Sequence, residues 1–252
     1  MRTTLAHEFY KLIHQKTTWL TILVLLGLMI YACIPTAYIT RNLVAQDFGA
    51  GQWATIIMIA ISANFVTMEF RNNTMPTVLY KSPSKQAVFW AKLLTLLVAS
   101  VVLLLVGLVF ALIIKAILVG NRFPWGSTYH QHSLFDALLL NMLGVALYLL
   151  FTVTLTLLLV SWFKSTATVI IIGFFIGFLG ASISAVVMQA IPGLASIWAW
   201  NPLNMINVIS QLGDGTVIKL SHLTNGELIA GNLIYALIFL LLGLHAFKKR
   251  RI

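Results

Sequence analysis

The chain has 252 residues, of which 60% are hydrophobic and 9% are charged, and its formal net charge at pH 7 is +10. Soluble globular domains carry about 25% charged residues, so this composition excludes an ordinary soluble domain and indicates an integral membrane protein. A basic chain could also bind nucleic acid, but no basic groove flanked by stacking aromatic residues is evident, and we expect no nucleic-acid partner.

Residues 1–17 form the first predicted element, a helix that lies flat at the membrane interface. In the segment TLAHEFYKLIHQK, apolar residues recur at helical spacing along one face. That face consists of Leu5, Phe9, Leu12 and Ile13. We expect Glu8, Lys11 and Lys16 on the opposite, solvated face. The alternative is a plain polar flank of the first span.

Six membrane-spanning helices are predicted from the apolar runs, because one crossing needs about 20 mainly apolar residues. No run alternates in the way of a membrane barrel strand, so we expect an all-α membrane protein with one transmembrane domain, residues 1–252. The second span is the shortest and most polar, and it could begin nearer Phe48. The predicted spans are 18–39, 52–68, 93–119, 134–162, 167–191 and 228–247.

A polar segment, EFRNNTMPTVLYKSPSK at residues 69–85, separates the second and third apolar runs. Thr74 can cap a short helix that holds Pro76 in its first turn. Ser82 can cap the next helix, with Pro83 at its first position, and that helix leads into the third span. The segment predicts a short helix, bounded by prolines, across the ends of two spans. An ordinary basic loop with a half-buried turn is the alternative.

The distribution of basic residues predicts which side of the membrane each loop occupies. Six spans place both chain ends on one side, and twelve of the 16 lysines and arginines fall on that side. The positive-inside rule therefore predicts cytoplasmic termini and a cytoplasmic segment 69–92. The closing KKRRI is expected to contact anionic lipid headgroups.

Motifs for catalysis and nucleotide binding are missing from the sequence. HEFYK at residues 7–11 begins like the zinc-binding HExxH, but Lys11 stands where the second histidine is needed. No GxxxxGK[ST] phosphate loop occurs, and no ionisable group lies near the middle of a predicted span. We therefore expect a protein that is not an enzyme, binds no metal and no cofactor, and depends on a partner for energy.

With these segments the chain resembles the permease subunits of type-two ATP-binding-cassette exporters, and among them the small bacitracin-resistance and lantibiotic-immunity permeases. The resemblance is carried by HEFYKLIHQKTTW before the first span and EFRNNTMPTVLYKSPSKQAVFWAK after the second. Pro76 departs from the family pattern, and Lys85 replaces a frequent arginine. The matching positions in the second segment are Glu69, Phe70, Thr74, Leu79, Ser82, Pro83, Lys85 and Lys92.

The resemblance implies a bacterial plasma-membrane protein in which segment 69–92 is a coupling helix docked on a separate cytoplasmic ATPase, which would hold ATP and Mg. It implies that residues 1–17 are a connecting helix. The working unit would contain two permeases, identical or paralogous, and two ATPases. The connecting-helix residues are Glu8, Phe9, Lys11 and Leu12.

The loop at residues 192–227 is expected on the outer side of the membrane. It is rich in tryptophan and large aliphatic residues, which exposed loops seldom carry. By resemblance it is a re-entrant segment near the outer mouth. A helix lying on the outer leaflet is the alternative.

A stripe of small residues in the fifth span allows close approach of another helix. The stripe consists of Gly173, Gly177, Ala181 and Ala185. Its partner is either a helix of the same chain or the second permease. If the second and fifth spans faced each other across the two-subunit axis, the polar groups along the route would be Ser62, Asn64 and Ser184.

A route without charges suits an amphiphilic cargo better than an ion or a sugar. The expected function is therefore export of hydrophobic or amphiphilic antimicrobial peptides, for self-immunity or resistance. The alternatives are a non-transporting membrane scaffold or signalling subunit and, less in keeping with the motifs, an intramembrane enzyme.

Overall fold

A computed structural model describes residues 2–80, 82–163 and 165–249, and these residues are almost entirely helical. The helices are α1 Arg2–His14, α2 Lys16–Ala32, α3 Arg41–Ala45, α4 Ala50–Arg71, α5 Met75–Tyr80, α6 Lys85–Ile114, α7 Leu134–Trp162, α8 Thr166–Phe174, α9 Gly180–Ala190, α10 Ala195–Trp198, α11 Val208–Gln211, α12 Ile218–Ser221 and α13 Asn225–Lys249. A small antiparallel hairpin joins α6 to α7, with β1 Thr128–Tyr129 paired to β2 His132–Ser133. The predicted all-α class is confirmed.

Five helical segments in the described part of the chain are long and apolar enough to cross a membrane. They are Asp47–Arg71, Lys85–Val119, Leu134–Trp162, Thr166–Ala190 and Asn225–Lys249. A sixth is possible if α1 and α2, which meet at a bend of 55°, are counted as one span. The protein is therefore a multi-pass membrane protein. The fourth predicted span has the bounds of α7, and the others differ from their helices mainly at the ends.

The first span shows the largest difference from its predicted bounds, because α2 ends at Ala32 and not near residue 39. Pro35 follows three residues later, has no backbone N–H, and disfavours the helical conformation at Ile34. The chain continues as a short 3₁₀ turn at Thr36–Tyr38 and then as α3, which is capped by the hydroxyl of Thr40. The 17 residues of α2 are at the lower limit for a membrane crossing.

The centre of the bundle is α7, because 78% of its most apolar stretch is buried. It packs against α4, α6, α8 and α13. Aromatic rings fill its boundary with α13: Phe151 lies 5.3 Å from Phe239 and stacks on Tyr148 at 5.2 Å. In α6, the fifth span and α13, only 28% of the most apolar stretch is buried. These helices therefore keep large apolar faces available to lipid.

The small residues of the fifth span pack inside this chain. A Cβ at Gly173 would lie 2.5 Å from Ile59 Cγ2 of α4, and a Cβ at Gly177 would lie 3.3 Å from Ile59 Cδ1. The two glycines thus allow the fifth span to approach α4 closely. This agrees with the expectation that the stripe packs on a helix of the same chain. Ala181 and Ala185 continue the stripe on α9 and are half-buried.

The two ends of the bundle are distinct. At one end, called the termini end, the described chain begins and finishes, α4 ends and α6 begins; Lys85 Nζ there lies 3.4 Å from the carbonyl oxygen of Lys248. At the opposite end, called the far end, the α6–α7 connection meets the start of α3. There Tyr129 donates a hydrogen bond to Asn42 Oδ1 at 2.7 Å.

The segment between α9 and α13 is a stack of short helical turns on α7 and α13, and not one continuous helix. Buried amides hold it together. Asn204 Nδ2 donates to the carbonyl oxygens of Ala199 at 2.6 Å and Ser221 at 2.8 Å, and Gln211 Nε2 donates to Leu223 O at 2.8 Å. These bonds satisfy carbonyl oxygens at or just beyond the ends of short helices, which have no partner within those helices.

A left-handed turn begins the second span. Asp47, Phe48 and Gly49 have φ values of 55°, 51° and 78°, and only the last of these residues adopts such values without strain. The turn lets the side chains of Asp47 and Phe48 enter the bundle, where both are buried. Asp47 Oδ1 accepts no hydrogen bond from any described residue.

Candidate functional site

Four charged side chains meet at the termini end, and we call them the charge cluster: Glu8 and Lys11 of α1, Glu69 of α4 and Lys92 of α6. Lys92 Nζ lies 3.0 Å from Glu8 Oε1 and 2.8 Å from Glu69 Oε2. Lys11 Nζ lies 2.6 Å from Glu8 Oε2 and also pairs with Glu69 Oε1. Each lysine therefore contacts both glutamates, and three helices are joined by one set of ion pairs.

The charge cluster is buried but electrically neutral. The side chains of Glu8 and Lys92 are 4% and 1% exposed. Removing charges from water is costly, and opposite charges in direct contact offset that cost. The ring of Phe65 forms one wall, with Lys11 Nζ 4.0 Å and Lys92 Nζ 5.2 Å from its centroid. Cation–π attraction adds to the pairing of both lysines.

The expected solvated position of Glu8 is wrong, because this carboxylate is buried among the lysines. Glu8 and Lys11 are three residues apart and share a face of α1. That face is turned towards α4 and α6, so it carries both the charge cluster and the buried Leu12. Lys16 is exposed, as expected, while the apolar Ile13 is also exposed.

The predicted short helix after the second span is present as α5, Met75–Tyr80. Its capping differs in part from the prediction. Thr74 Oγ1 lies 3.4 Å from the carbonyl oxygen of Glu69, at the end of α4. The cap of α6 is Ser84 and not Ser82, since Ser84 is the extended residue whose hydroxyl accepts from Ala87 N at 3.1 Å.

Some of the remaining residues of the predicted coupling segment pack against the bundle, and others are exposed. Phe70 is half-buried, with its ring 6.3 Å from that of Phe247, so the last turn of α13 packs on the end of α4. Ser82 Oγ lies 3.4 Å from Thr4 Oγ1 and links the segment to α1. Leu79 and Lys85 are half-buried, whereas Thr74 and Pro83 are exposed.

A cleft of about 240 Å³ lies between α1 and α5, directly above the charge cluster. Its lining includes Glu8, Lys11 and Glu69 on one side and Thr77 and Val78 of α5 on the other. At the end of α5, the side chain of Tyr80 is 92% exposed. Sequence reasoning missed Phe65, because it belongs to no motif, and did not single out Tyr80 within segment 69–85.

The predicted pathway residues are not exposed to a passage in this conformation. Ser62 and Ser184 are fully buried, and Asn64 is half-buried. Ser184 Oγ accepts a hydrogen bond from Asn201 Nδ2 at 2.9 Å, which ties α9 to the far-end turns. Ser62 Oγ has no hydrogen-bond partner among the described residues.

Part of the predicted basic side lies outside the described residues. This applies to Lys81, Lys164, Arg250 and Arg251 and to the side chain of Arg2. The cationic residues that are described at the termini end are Lys11, Lys16, Arg71, Lys85, Lys92, Lys248 and Lys249.

Comparison with known proteins gives one family. A family model described as "Protein of unknown function (DUF2705)" matches residues 31–252, which is most of the chain. No curated protein sequence matches the chain. The match begins within α2, after α1 and its share of the charge cluster.

Proposed function

The chain belongs to the DUF2705 family of unknown function, and from the geometry of its termini end we propose that it is the membrane permease subunit of an ATP-driven exporter. The observation that carries this proposal is the charge cluster, which joins α1, α4 and α6 and lines the cleft beside the largely exposed helix α5. Resemblance to type-two permeases supplies the expected partner, a separate cytoplasmic ATPase.

The proposed topology has six crossings, with α2 as the first and both termini in the cytoplasm. The bend of 55° between α1 and α2 supports an α1 that lies along the inner membrane surface as a connecting helix. The segment 192–227 then lies at the outer face, where its short turns form the re-entrant element. The basic residues of the termini end support this orientation through the positive-inside rule.

The charge cluster supports force transmission from α5 to the spans. A push on α5 reaches α4 through a connection of only three residues and reaches α6 through the segment that begins with Ser82. Glu69 and Lys92 link the neighbouring ends of these two spans by a buried ion pair, and Glu8 includes α1 in the same unit. Displacement of α5 would thus tilt three helices together, as an ATPase-driven permease requires.

The surface offered to the ATPase consists of α5 and the cleft beside α1. Large aromatic side chains often provide much of the binding energy at protein interfaces, and Tyr80 is an exposed aromatic at the end of α5. The cleft has polar rims at Thr4, His7 and Thr77, which suit a polar side chain of the partner. Both features lie on the face that is cytoplasmic in the proposed topology.

The cargo is proposed to be an amphiphilic peptide taken from the membrane. The exposed faces of α6, the fifth span and α13 are apolar and carry aromatic residues such as Phe174 and Phe178. Such faces suit a ligand that partitions into lipid better than a small hydrophilic solute.

The test is co-purification of the chain with an ATPase encoded beside it, comparing Tyr80→Ala with Tyr38→Ala. Both tyrosines are highly exposed, at 92% and 77%, but Tyr38 lies at the far end. We expect Tyr80→Ala to lose most of the bound ATPase and of its peptide-stimulated hydrolysis, while Tyr38→Ala keeps both. A complex that forms equally with both variants, or no complex with the unaltered chain, would refute the proposal.

Orientation is tested with cysteines placed at exposed positions of the two ends. Thr77→Cys and Gln131→Cys mark the termini end and the far end, and the natural Cys33 is buried. In intact cells a membrane-impermeant maleimide is expected to label the cysteine at 131 only. Labelling of the cysteine at 77 from outside would place the coupling segment on the wrong side.

A further inference from the structure

A second cleft, of about 180 Å³, lies at the far end between the start of α4, α7 and residues 206–210, and we call it the amide cleft. Its polar lining residues are Gln46, Gln52, Asn141, Asn207 and Ser210. Lys, Arg, Asp and Glu are absent from the described residues that line it. The amide cleft is separate from the charge cluster, which lies at the other end of the bundle.

Three amides of the cleft have their nitrogens engaged within the chain. Gln46 Nε2 donates to Asn42 Oδ1 at 2.8 Å, and Asn141 Nδ2 donates to the carbonyl oxygen of Ile209 at 2.7 Å. Asn207 Nδ2 donates to both oxygens of Asn204, the side-chain oxygen at 2.8 Å and the carbonyl oxygen at 3.2 Å. These bonds fix the orientation of each amide.

The oxygens of the same three amides accept no hydrogen bond from any described residue. Asn141 differs from the other two residues, because its side chain is only 3% exposed and its Oδ1 is buried without a partner among the described residues. Buried polar atoms are normally paired, so this oxygen keeps unused acceptor capacity beside the cleft. The unused hydrogen-bonding capacity of the three fixed amides is therefore mainly that of acceptors.

From this arrangement we propose that the amide cleft is a binding site for the N–H groups of a peptide cargo. Peptide N–H groups are uncharged donors, and they match fixed amide oxygens without requiring a counter-ion. Gln52, whose side chain is exposed, can contribute its own N–H to a peptide carbonyl. The inference rests on the proposed function, since it names the part of the cargo that the permease recognises.

Gly49 and Gly51, just before and just after the first residue of α4, border the cleft. A Cβ at Gly51 would lie 2.2 Å from Val145 Cγ2, so α4 touches α7 there. Gly49 has the left-handed φ of 78° that ends the turn before α4. The amide cleft is thus bordered by tightly packed backbone on one side and by the Asn204–Asn207 turn on the other.

The ligand side of the proposal is tested by equilibrium binding to the full chain in lipid nanodiscs. The probe is an N-acetylated decapeptide of alternating leucine and serine with a C-terminal fluorophore, and the comparison probe has the same sequence with N-methylated backbone amides. Saturable binding is expected beyond that of empty nanodiscs, with the dissociation constant at least about tenfold higher for the methylated probe, as the loss of one or two hydrogen bonds predicts. Equal affinity of the two probes, or no saturable binding, would overturn the proposal.

The protein side is tested with Gln46→Met and Asn207→Leu, which remove amide oxygens, and with Gln189→Leu as control. Gln189 is an exposed amide at the end of α9 that does not line the cleft. We expect each cleft variant to weaken binding of the unmethylated probe about threefold to tenfold and to reduce the difference between the two probes. The control should change neither. Cleft variants that fold normally and retain the full difference would contradict the site.

This binding assay contains no ATPase, so its failure is distinguishable from failure of the proposed function. Saturable binding that depends on peptide N–H groups supports the amide cleft even if no ATPase complex forms. An ATPase complex stimulated by peptides, together with nanodisc binding that ignores N-methylation, would leave the exporter proposal standing and overturn this inference.

Discussion

Lys92 Nζ lies 2.8 Å from Glu69 Oε2, and both side chains are buried. Glu69 lies near the end of α4, and Lys92 lies two turns inside α6. This pair is the centre of the charge cluster, because Glu8 and Lys11 of α1 complete it from the other side. Neutrality depends on all four residues, so the loss of one leaves an unbalanced charge among largely buried side chains.

We predict that Lys92→Met destabilises the protein by about 3–5 kcal/mol, since it leaves two buried glutamates with only Lys11 between them. The measurement is reversible unfolding in mixed detergent micelles. Lys16→Met, at an exposed position, is the matched control and should change stability little. Combining Lys92→Met with Glu69→Gln should cost less than the sum of the two single changes. Simple additivity would show that the two side chains do not interact.

The close approach of the fifth span to α4 gives a second prediction. A methyl group at position 173 would lie 2.5 Å from Ile59 Cγ2, whereas one at position 177 would lie 3.3 Å from Ile59 Cδ1, the flexible end of the side chain. Gly173→Ala should therefore cost about 1–3 kcal/mol through overpacking, and Gly177→Ala should cost less.

A smaller side chain at position 59 should relieve the overpacking caused by Gly173→Ala if the two residues touch within one chain. This distinguishes the intrachain contact from an interface between two permeases. We expect Ile59→Ala to recover part of the stability lost in Gly173→Ala, as measured by thermal unfolding of the monomer in detergent. If Gly173→Ala leaves the monomer's stability unchanged and only weakens association between chains, the intrachain explanation is wrong.

The membrane spans could be predicted from the sequence because hydropathy and length determine which helices can cross a bilayer. The short helix α5 was predictable for a local reason, since its polar surroundings and Pro76 mark a new helix start. Local capping was less certain: Ser82 and Ser84 both flank Pro83, and only the structure distinguishes which hydroxyl faces the free N–H groups of α6.

The charge cluster was beyond sequence reasoning even though all four of its residues had been singled out. Glu8 and Lys92 are 84 residues apart, and an amphipathic pattern places any charged residue on the solvated face by default. Burial of Glu8 becomes favourable only when its partners are present, which is a property of the packed bundle. The far-end turns were unpredictable for a similar reason, because buried amides and not periodicity hold them.

Those amides provide a third prediction. Asn204 donates two hydrogen bonds, to the backbone oxygens of Ala199 and Ser221, and its side chain is fully buried. Asn204→Leu should destabilise the far end by about 1–3 kcal/mol and make residues 192–224 more sensitive to protease. The control is Asn121→Leu, at an exposed position of the α6–α7 connection. Equal protease sensitivity of the two variants would contradict a structural role for the Asn204 amide.

The far-end hairpin supplies the final prediction, which concerns pH. Burial, assisted by the nearby negative charge of Asp214, raises the pKa of Tyr129 to about 12 from an ordinary value near 10. The folded protein therefore favours the neutral phenol, which donates to Asn42 Oδ1 at 2.7 Å. Because the folded pKa lies above the unfolded one, this stabilisation is complete below about pH 10 and is lost as the pH rises towards 12.

Comparison of the unaltered chain with Tyr129→Phe isolates this effect from the titration of lysines. Below about pH 10 the unaltered chain should be more stable by roughly 0.5–1.5 kcal/mol, the usual net contribution of a hydrogen bond. The difference should shrink and then reverse between about pH 10 and pH 12, as measured by chemical unfolding at each pH. Tyr38→Phe, at an exposed position, should show no such change. A stability difference that stays constant up to pH 12 would mean that the Tyr129 phenol ionises equally well in the folded and unfolded chain.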